Sequence, residues 1–374
     1  MAENFELRDF YNPGTITILA DSLKEVYPDF PHESFLKRVI PALPPLGLLE
    51  RSNVICDAFE ALLPDDFKNT SDILVKNVQQ SLPLEGEGAV NGFMVLPHTQ
   101  YIARNGLDYF DISMRALYEL TKKFTSEFAI RPFLIHRTEE TLAVLKKWAT
   151  DENEHVRRLV SEGTRPLLPW GMKLKNFEQD PSHCFNLLEH LKDDPSLYVR
   201  KSVANHLNDH SKKHPDKVVA LLTSWNKGNP SKGTQWITRH ALRSLIKQGH
   251  TGAMVLQGFG SPEKVLMDDF EITTPEVNFG ETLNFGFSIF SKEKKPIKLV
   301  VDYILYFKKA NGALAPKVFK LKEMMLEPST KNTIRKNHPI RPITTRKYYP
   351  GMQEIGIQIN GREFARKSFL LKME

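Results

Sequence analysis

The stretch Glu154–Trp170 reads EHVRRLVSEGTRPLLPW, and an arginine within its first turn recurs at a regular interval along the chain. The corresponding positions, which lie 42, 43 and 39 residues apart, are Arg115, Arg157, Arg200 and Arg239. A period near 40 residues is typical of stacked helix pairs of the HEAT and armadillo class, in which each repeat buries its apolar face against its neighbours. The sequence therefore predicts a HEAT-like α-solenoid.

The hydrophobic pattern around this stretch supports the same architecture. Apolar residues recur at three- and four-residue spacings from about Leu19 to Trp236, as expected for amphipathic helices. Asp151 and the pair Asp193–Asp194 precede two of the repeated arginines, where a carboxylate would favour the start of a helix. A ladder of these arginines and acids between repeats is an alternative to any binding role for the arginines.

After Pro262 the pattern changes from helical to alternating. Apolar and polar residues alternate through Leu283–Ile289, and the Asn-Gly pairs at Asn311 and Asn360 are strong hairpin signals. Short strands separated by turns predict an all-β immunoglobulin-like sandwich. The expected fold is mainly α, with a HEAT-like helical domain at residues 1–262 and the sandwich at residues 263–374.

The basic charge is concentrated in the predicted sandwich. The chain has a formal net charge of +6, and residues 263–374 contain 20 Lys and Arg against 13 Asp and Glu. A basic surface can bind a polyanion, and the runs Lys292–Lys295 and Arg335–Arg346 are candidates for such a contact. A solvated charged surface is the alternative.

Several other classes of protein are disfavoured. No apolar run is long enough for a membrane helix, and the N-terminus lacks a signal-peptide pattern, so we expect a soluble, cytoplasmic protein. Cys56 and Cys184 form no C-x-x-C pair, which favours isolated thiols and argues against structural zinc. The glycines between Gly86 and Gly92 miss the dinucleotide-binding spacing and are interpreted as a loop.

The end of the quoted stretch combines charged residues with an aromatic one. Arg158 and Glu162 are four residues apart and share a helix face, and Gly163 is expected to end that helix. The chain then turns through a proline-bounded loop to Trp170. A solvated ion pair and a packing tryptophan are the simpler interpretation, and a ligand site is the other.

The chain resembles the DNA alkylation repair family built from HEAT-like repeats, and specifically its AlkC-type branch. The motifs that carry the resemblance are Leu120–Phe133, Glu154–Trp170, Tyr198–Asp209 and Trp225–Leu245. The resemblance implies a monofunctional DNA glycosylase of base excision repair. Its substrates would be cationic N-alkylated bases in duplex DNA, such as 3-methylcytosine and 1-methyladenine.

The resemblance also implies which residues form the site. Glu162 would be the main catalytic carboxylate and Glu127 the second acid, Trp170 the aromatic contact, and Arg158 and Asp209 would complete the site. Two alternatives remain from helix chemistry alone. Glu127 could pair with Arg131 one turn on, and Asp209 could cap a helix that begins near His210.

The remaining basic residues of the repeats are expected to contact DNA phosphates. These predicted DNA-binding residues are Arg157, Arg165, Arg200, Lys201 and Arg239. Neither a metal nor a cofactor is expected, and double-stranded DNA with alkylated bases is the expected partner, without a membrane or a required protein partner. The alternatives are a non-catalytic HEAT-repeat scaffold and a damaged-DNA sensor.

Overall fold

The computed structural model describes residues 6–86, 91–343 and 346–373. The chain divides into two compact units. The first runs to His214 and includes Trp225–Ala241. The second comprises Pro215–Ser224 and the chain from Leu242 onward. The predicted domain boundary at residues 262 and 263 stays a prediction.

Two of the predicted segments lie partly beyond the described residues. Residues 87–90 of the predicted Gly86–Gly92 loop are outside them, and so are residues 344 and 345 of the basic run Arg335–Arg346. Within the described residues, the helices are too short or too polar for any of them to traverse a membrane.

Helices make up the first unit. Its α-helices are α1 (Pro13–Val26), α2 (His32–Val39), α3 (Leu48–Leu62), α4 (Phe67–Lys76), α5 (Leu96–Asn105), α6 (Phe110–Thr121), α7 (Arg131–His136), α8 (Thr138–Trp148), α9 (Glu154–Gly163), α10 (Lys175–Gln179), α11 (Ser182–Glu189), α12 (Leu197–His210) and α14 (Lys232–Ala241). The second unit contains most of α13 (Pro215–Trp225), together with α15 (Arg243–Lys247) and α16 (Thr251–Leu256).

The repeat predicted from the arginine spacing is confirmed. Arg115, Arg157, Arg200 and Arg239 lie on α6, α9, α12 and α14. Helix α9 packs against α12, and α12 packs against α14, so successive repeats stack on one another. Apolar residues of α9 and α12, including Val156, Leu159, Val199 and Val203, are fully buried between them.

The helix starts differ in detail from the sequence prediction. The residue that caps α9 is Asn153, whose side chain accepts from the backbone N–H of His155 at 2.9 Å. Asp151 lies two residues earlier and accepts from the backbone N–H of Asn153 at 2.8 Å. Asp194 and Ser196 repeat this turn before α12, again at 2.8 Å. The acids therefore shape the turn before each cap and are not the caps themselves.

Two of the repeated arginines, Arg157 and Arg200, donate hydrogen bonds to the backbone of these turns. Arg157 forms an ion pair with Asp194 of the next repeat, with Nε–Oδ2 at 2.7 Å, and donates to the backbone carbonyls of Asp151 and Glu152. Arg200 donates in the same way to the carbonyls of Asp194 and Pro195. The Arg157–Asp194 pair is the kind of inter-repeat contact that the sequence left open as an alternative, whereas these contacts of Arg200 lie within its own repeat.

Within the described residues, eight strands form the sandwich of the second unit. They are β1 (Val265–Ile272), β2 (Glu276–Asn278), β3 (Thr282–Ser291), β4 (Ile297–Lys308), β5 (Leu314–Leu326), β6 (Asn332–Pro339), β7 (Gly351–Ile359) and β8 (Arg362–Lys372). One sheet has the order β1-β3-β6, and the other has the order β2-β8-β7-β4-β5. The predicted all-β sandwich is confirmed.

The sequence signals for these strands are explained by their packing. The apolar positions of β3, from Leu283 to Ile289 in alternation, are at most 2% exposed and form the core between the sheets. Asn360 and Gly361 both adopt positive φ in the two-residue turn between β7 and β8, as predicted. The loop around Asn311 is longer, and only Gly312 has a positive φ there.

Helices α15 and α16 are joined to the sandwich by tight backbone contacts within the second unit. The Cα atom of Gly249 lies so close to Gly361 that a Cβ on Gly361 would be 2.0 Å from it, which excludes any side chain. The side chain of Asn360 donates to the carbonyl of Gly260 at 2.6 Å. Gln358 donates to the carbonyl of Lys247 at 2.9 Å.

Candidate active site

Two helices of neighbouring repeats each carry a polar stripe at helical spacing. On α9 the stripe consists of Arg158 and Glu162 and continues to Arg165 just past the helix. The stripe on α12 begins at Tyr198 and ends at Asp209. Side chains one turn apart share a helix face, and contacts between the stripes show that these two faces meet.

Glu162 lies at the centre of these contacts. Its Oε1 accepts from Arg165 Nη1 at 2.6 Å and lies 3.6 Å from Arg158 Nη2. Its Oε2 accepts from the hydroxyl of Ser202 at 2.6 Å. The side chain of Glu162 is 7% exposed, so two donors and a nearby guanidinium fix this carboxylate in a largely dry environment.

The turn between α6 and α7 brings a second acid to Arg158. Glu127 forms an ion pair with Arg158 Nη1, and both also bond to the hydroxyl of Thr125 at 3.0 Å. Close packing of this turn on α9 depends on Gly163, because a Cβ there would lie 2.7 Å from Cγ2 of Ile130. The glycine beside Glu162 therefore lets the two acids approach one cation.

A third acid completes the cluster from α12. Asp209 accepts from Arg165 Nε at 2.9 Å, and its side chain is 6% exposed. Burial by itself lowers the pKa of Arg165, but the attraction of Glu162 and Asp209 outweighs it and the pKa rises. Arg165 is therefore a permanent cation that bridges two carboxylates.

The result is a chain of alternating charges that we call the carboxylate cluster: Glu127, Arg158, Glu162, Arg165 and Asp209. All of its side chains are at most 15% exposed. Two further cations act on these acids: Lys212 Nζ lies 3.6 Å from Asp209, and the buried Arg131 interacts electrostatically with Glu127 and Glu162. The arginines fix the carboxylates in a largely dry environment, where a carboxylate can attract a developing positive charge that solvent screens weakly.

The predicted aromatic residue stands apart from these contacts. Trp170 is 64% exposed and has φ 63°, a left-handed conformation that bulky residues rarely adopt. It lies beside Leu48 and Leu49 at the edge of a depression of about 400 Å³. Among the contacts of the described residues, no hydrogen bond or ring contact joins Trp170 to the carboxylate cluster.

The loop that carries Trp170 is held by a buried arginine. Arg131 is fully buried and donates to the carbonyls of Gly163, Arg165 and Met172 at 2.6–2.9 Å, on either side of the tryptophan. Burial lowers the pKa of Arg131 to about 10. Arg131 therefore fixes the backbone of the Trp170 loop relative to the end of α9, where Glu162 lies.

Comparison with known proteins identifies the family. A family model described as DNA alkylation repair enzyme matches residues 122–245, and one described as the C-terminal Ig-like domain of the uncharacterised protein YhaZ matches residues 266–373. The uncharacterized protein YhaZ of Bacillus subtilis is 35% identical over 95% of this chain and 96% of its own length. The Pseudomonas fluorescens alkylpurine DNA glycosylase AlkC, solved bound to DNA containing an abasic site analog, is 41% identical with a TM-score of 0.91. That match covers 98% of this chain and 100% of AlkC. The chain belongs to the AlkC-type DNA alkylation repair glycosylases.

Both helix-chemistry alternatives for the acids of this AlkC-type protein are wrong. Glu127 pairs with Arg158 and not with Arg131, because the carbonyls around the Trp170 loop already engage the Arg131 guanidinium. Asp209 lies within α12, which ends at His210, so it caps no following helix. Both carboxylates instead form ion pairs with arginines of the carboxylate cluster.

The predicted DNA-binding residues of the AlkC-type chain fall into two groups. Arg157 pairs with the next repeat, Arg200 donates to carbonyls of its own repeat, and Arg165 is buried in the carboxylate cluster, so the surrounding protein already engages these three guanidinium groups. Lys201 and Arg239 are exposed on α12 and α14. Exposure leaves these two side chains accessible to a phosphate, and the DNA-binding role of all five residues stays a prediction.

Sequence reasoning missed three polar partners of the AlkC-type site. Ser202 donates to Glu162, Thr125 joins Glu127 to Arg158, and the guanidinium of Arg158 lies 5.0 Å from the ring centre of Tyr198. Tyr198 and Ser202 are four residues apart and followed at helical spacing by Asp209, so the α12 stripe carried a detectable signal. Thr125 lies on a turn and offered none.

One further group could hold a metal ion. Within the described residues, Cys184, His206 and His210 bring their ligand atoms within 4.8 Å of one another. This group shares no residue with the carboxylate cluster.

Proposed function

We propose that this protein is a monofunctional DNA glycosylase that excises cationic N-alkylated bases, such as 3-methylcytosine and 1-methyladenine, from duplex DNA in base excision repair. Support comes from the similar AlkC of Pseudomonas fluorescens, an alkylpurine DNA glycosylase bound to DNA containing an abasic site analog. The observation that carries the proposal is the buried carboxylate cluster at the end of α9, in which arginines hold three carboxylates in fixed positions.

The proposed chemistry needs little more than electrostatic stabilisation. An alkylated base with a fixed positive charge leaves as a neutral molecule, so breaking its glycosidic bond requires no general acid. The positive charge moves to the deoxyribose, which becomes oxocarbenium-like in the transition state. Water then adds to the sugar carbon and loses a proton. The enzyme must therefore stabilise a cationic sugar and direct a water molecule.

Glu162 is suited to the first task. A carboxylate about 5 Å from the cationic sugar, at an effective dielectric constant of about 20, contributes about 3 kcal/mol, or roughly a hundredfold in rate. Its donors Arg165 and Ser202 hold its orientation before the charge develops. Glu127 can then accept the proton of the attacking water, and Asp209 maintains the orientation of Arg165.

Trp170 supplies the contact with the damaged nucleotide. An indole face attracts a cationic base by about 0.5–2 kcal/mol. A large aromatic side chain held in solvent by a strained backbone is unusual, and such strain is concentrated at functional positions. The hydrogen bonds of Arg131 keep this loop in place before DNA arrives.

Binding to the duplex would depend mainly on phosphate contacts. Lys201 and Arg239 are the exposed cations of the repeats assigned to this role, and the basic runs of the sandwich would clamp the DNA. Each neutralised phosphate releases counterions and steepens the salt dependence of binding. Recognition then relies on charge and DNA shape more than on base edges.

The proposal is tested on a duplex oligonucleotide with one 3-methylcytosine or 1-methyladenine. Excision leaves an abasic site that alkali cleaves, so product appears as a shortened strand. The wild-type protein should release the base, and Glu162→Gln should lower the single-turnover rate on the order of a hundredfold without weakening DNA binding.

Glu154→Gln on the same helix is the matched control. Glu154 is exposed at the start of α9 and accepts from Ser196, outside the carboxylate cluster, so its removal should leave the rate unchanged. A wild-type protein that binds the duplex and releases no alkylated base would refute the proposed activity. Equal rates for wild type and Glu162→Gln would remove Glu162 from the mechanism.

A further inference from the structure

A second cluster of chemically reactive groups lies outside the carboxylate cluster. Cys184 is on α11, and His206 and His210 are four residues apart on α12. All three are at most 1% exposed, and one ligand atom from each lies within 4.8 Å of the others. Two histidines at this spacing project from one face of a helix, as in many zinc sites.

The polar atoms of this cluster are without ordinary partners. Within the described part of the chain, no ring nitrogen of His206 or His210 forms a hydrogen bond of ordinary geometry, and the backbone of Ser161 is the one polar group acting on the His206 ring as an approximate partner. The Cys184 thiol makes only a weak contact with the carbonyl of Thr164, at 3.7 Å. Buried polar groups left unpaired are rare and costly, and four of them in two adjacent rings call for an explanation.

The protonation states also suit metal ligation. Burial lowers the pKa of His210 to about 4 and that of His206 well below its ordinary value, so both rings are neutral near pH 7 and offer lone pairs. Burial raises the pKa of the Cys184 thiol, and the nearby positive charge of Arg131 opposes that shift. A metal ion would displace the thiol proton outright.

We propose that Cys184, His206 and His210 bind a zinc ion that joins α11 to α12. Thiolate sulfur and imidazole nitrogen are the ligand types that zinc prefers, and other soft transition-metal ions share that preference. On binding, the thiol loses its proton to solvent and the sulfur lone pair and two ring nitrogens form the bonds to the metal. Zinc bonds of about 2.0–2.3 Å require the three ligand atoms to draw slightly closer together.

The site has a structural consequence for α12. His206 and His210 flank Asp209, which bonds to Arg165 of the carboxylate cluster. A metal held by both histidines would fix the last turn of α12 and, through it, the position of that acid. The zinc proposal is independent of the proposed glycosylase, since it rests only on the buried cysteine and the two rings.

Metal binding is tested directly with Co²⁺, a spectroscopic substitute for zinc. Wild-type protein stripped with a chelator and titrated with Co²⁺ should take up about one equivalent, with visible d–d bands and a near-ultraviolet thiolate charge-transfer band. Added Zn²⁺ should abolish both. Protein purified without chelators should contain a similar amount of zinc by elemental analysis.

Variants assign the ligands. Cys184→Ala should lose the charge-transfer band, and His210→Ala should lose the bound metal. Cys56→Ala is the matched control, because Cys56 is the other buried free cysteine, and this variant should keep the full spectrum. Absence of a thiolate band in wild-type protein, or its persistence in Cys184→Ala, would overturn the proposal. If Cys184→Ala fails to fold, the wild-type and Cys56→Ala spectra decide, because the chain has only two cysteines.

Discussion

The exposed, strained Trp170 allows stability and activity to be separated. We consider two replacements, Trp170→Ala and Trp170→Gly. Both remove the indole, but alanine keeps the unfavourable left-handed backbone at φ 63° whereas glycine adopts it freely. The two variants should therefore have the same enzymatic defect and different stabilities.

The expected magnitudes follow from the exposure and the backbone. The indole is 64% exposed, so its removal takes only about 90 Å² of buried surface, or about 2 kcal/mol of stability. A left-handed conformation costs a non-glycine residue about 1–2 kcal/mol, and glycine adds about 0.5–1 kcal/mol of entropy to the unfolded chain. Trp170→Gly should then be about 0.5–1 kcal/mol more stable than Trp170→Ala.

Urea unfolding measures the stabilities, and single-turnover excision of 1-methyladenine measures activity. Both variants should lose about tenfold in rate, within the range of a cation–π contact. Met172→Ala is the control, because Met172 is 51% exposed on the same loop and has no proposed role. Full activity in Trp170→Gly would refute the contact with the damaged base. A Trp170→Gly protein less stable than Trp170→Ala would refute the strain argument.

Four other changes test individual features of the structure. Asp302 is buried, its carboxylate accepts no hydrogen bond of ordinary geometry from the described residues, and burial outweighs the opposing effect of Gln358 and raises its pKa to about 6. The folded-state pKa of Asp302 exceeds its unfolded value, so the free energy of unfolding falls as pH rises from about 4 to 6. Asp302→Asn should therefore be more stable than wild type by up to about 3 kcal/mol at pH 7.5 and no more stable below pH 4. Urea unfolding at a series of pH values measures this difference. Lys201→Ala should reduce the slope of log Kd against log salt by about 0.9 in DNA-binding titrations. Arg157→Ala should instead lower Tm and leave that slope unchanged, because its ion pair with the next repeat is lost. Ser202→Ala should slow excision several-fold while Kd for DNA stays constant, since Glu162 loses one donor.

Local regularities made the architecture predictable from sequence. The recurring arginines located the stacked helices because each lies on one helix of its repeat, and the alternation through Leu283–Ile289 identified a strand of the sandwich core. The pairing of Arg158 with Glu162 followed from helix geometry, and they lie 3.6 Å apart. Each of these features follows from a regular spacing of residues along the chain, so it can be recognised in the sequence.

Contacts between distant segments could not be read in the same way. Helix spacing suggested Arg131 as the partner of Glu127, but the loop after α9 supplies carbonyls that engage Arg131 instead. Arg165 was predicted to contact a phosphate, but in the fold it pairs with Asp209, which lies 44 residues later in the sequence. Long-range packing decides which charges are buried, and neither periodicity nor spacing encodes it.

The cysteines show the same limit. Cys56 and Cys184 were interpreted as isolated thiols because neither belongs to a C-x-x-C pair. Cys184 nonetheless lies beside His206 and His210 once α11 packs near α12. A ligand set assembled from two helices leaves no compact motif, and only the histidine spacing on α12 gave a partial signal.

The central claim is that the fixed, buried carboxylate of Glu162 in the carboxylate cluster stabilises a cationic sugar. The most direct measurement is the affinity for two duplexes that carry sugar analogues, one a positively charged pyrrolidine and the other a neutral tetrahydrofuran. Wild-type protein should bind the charged analogue on the order of a hundredfold more tightly, and Glu162→Gln should lose most of that preference. Equal affinity of the wild-type protein for the two duplexes, or a preference that survives in Glu162→Gln, would contradict the account.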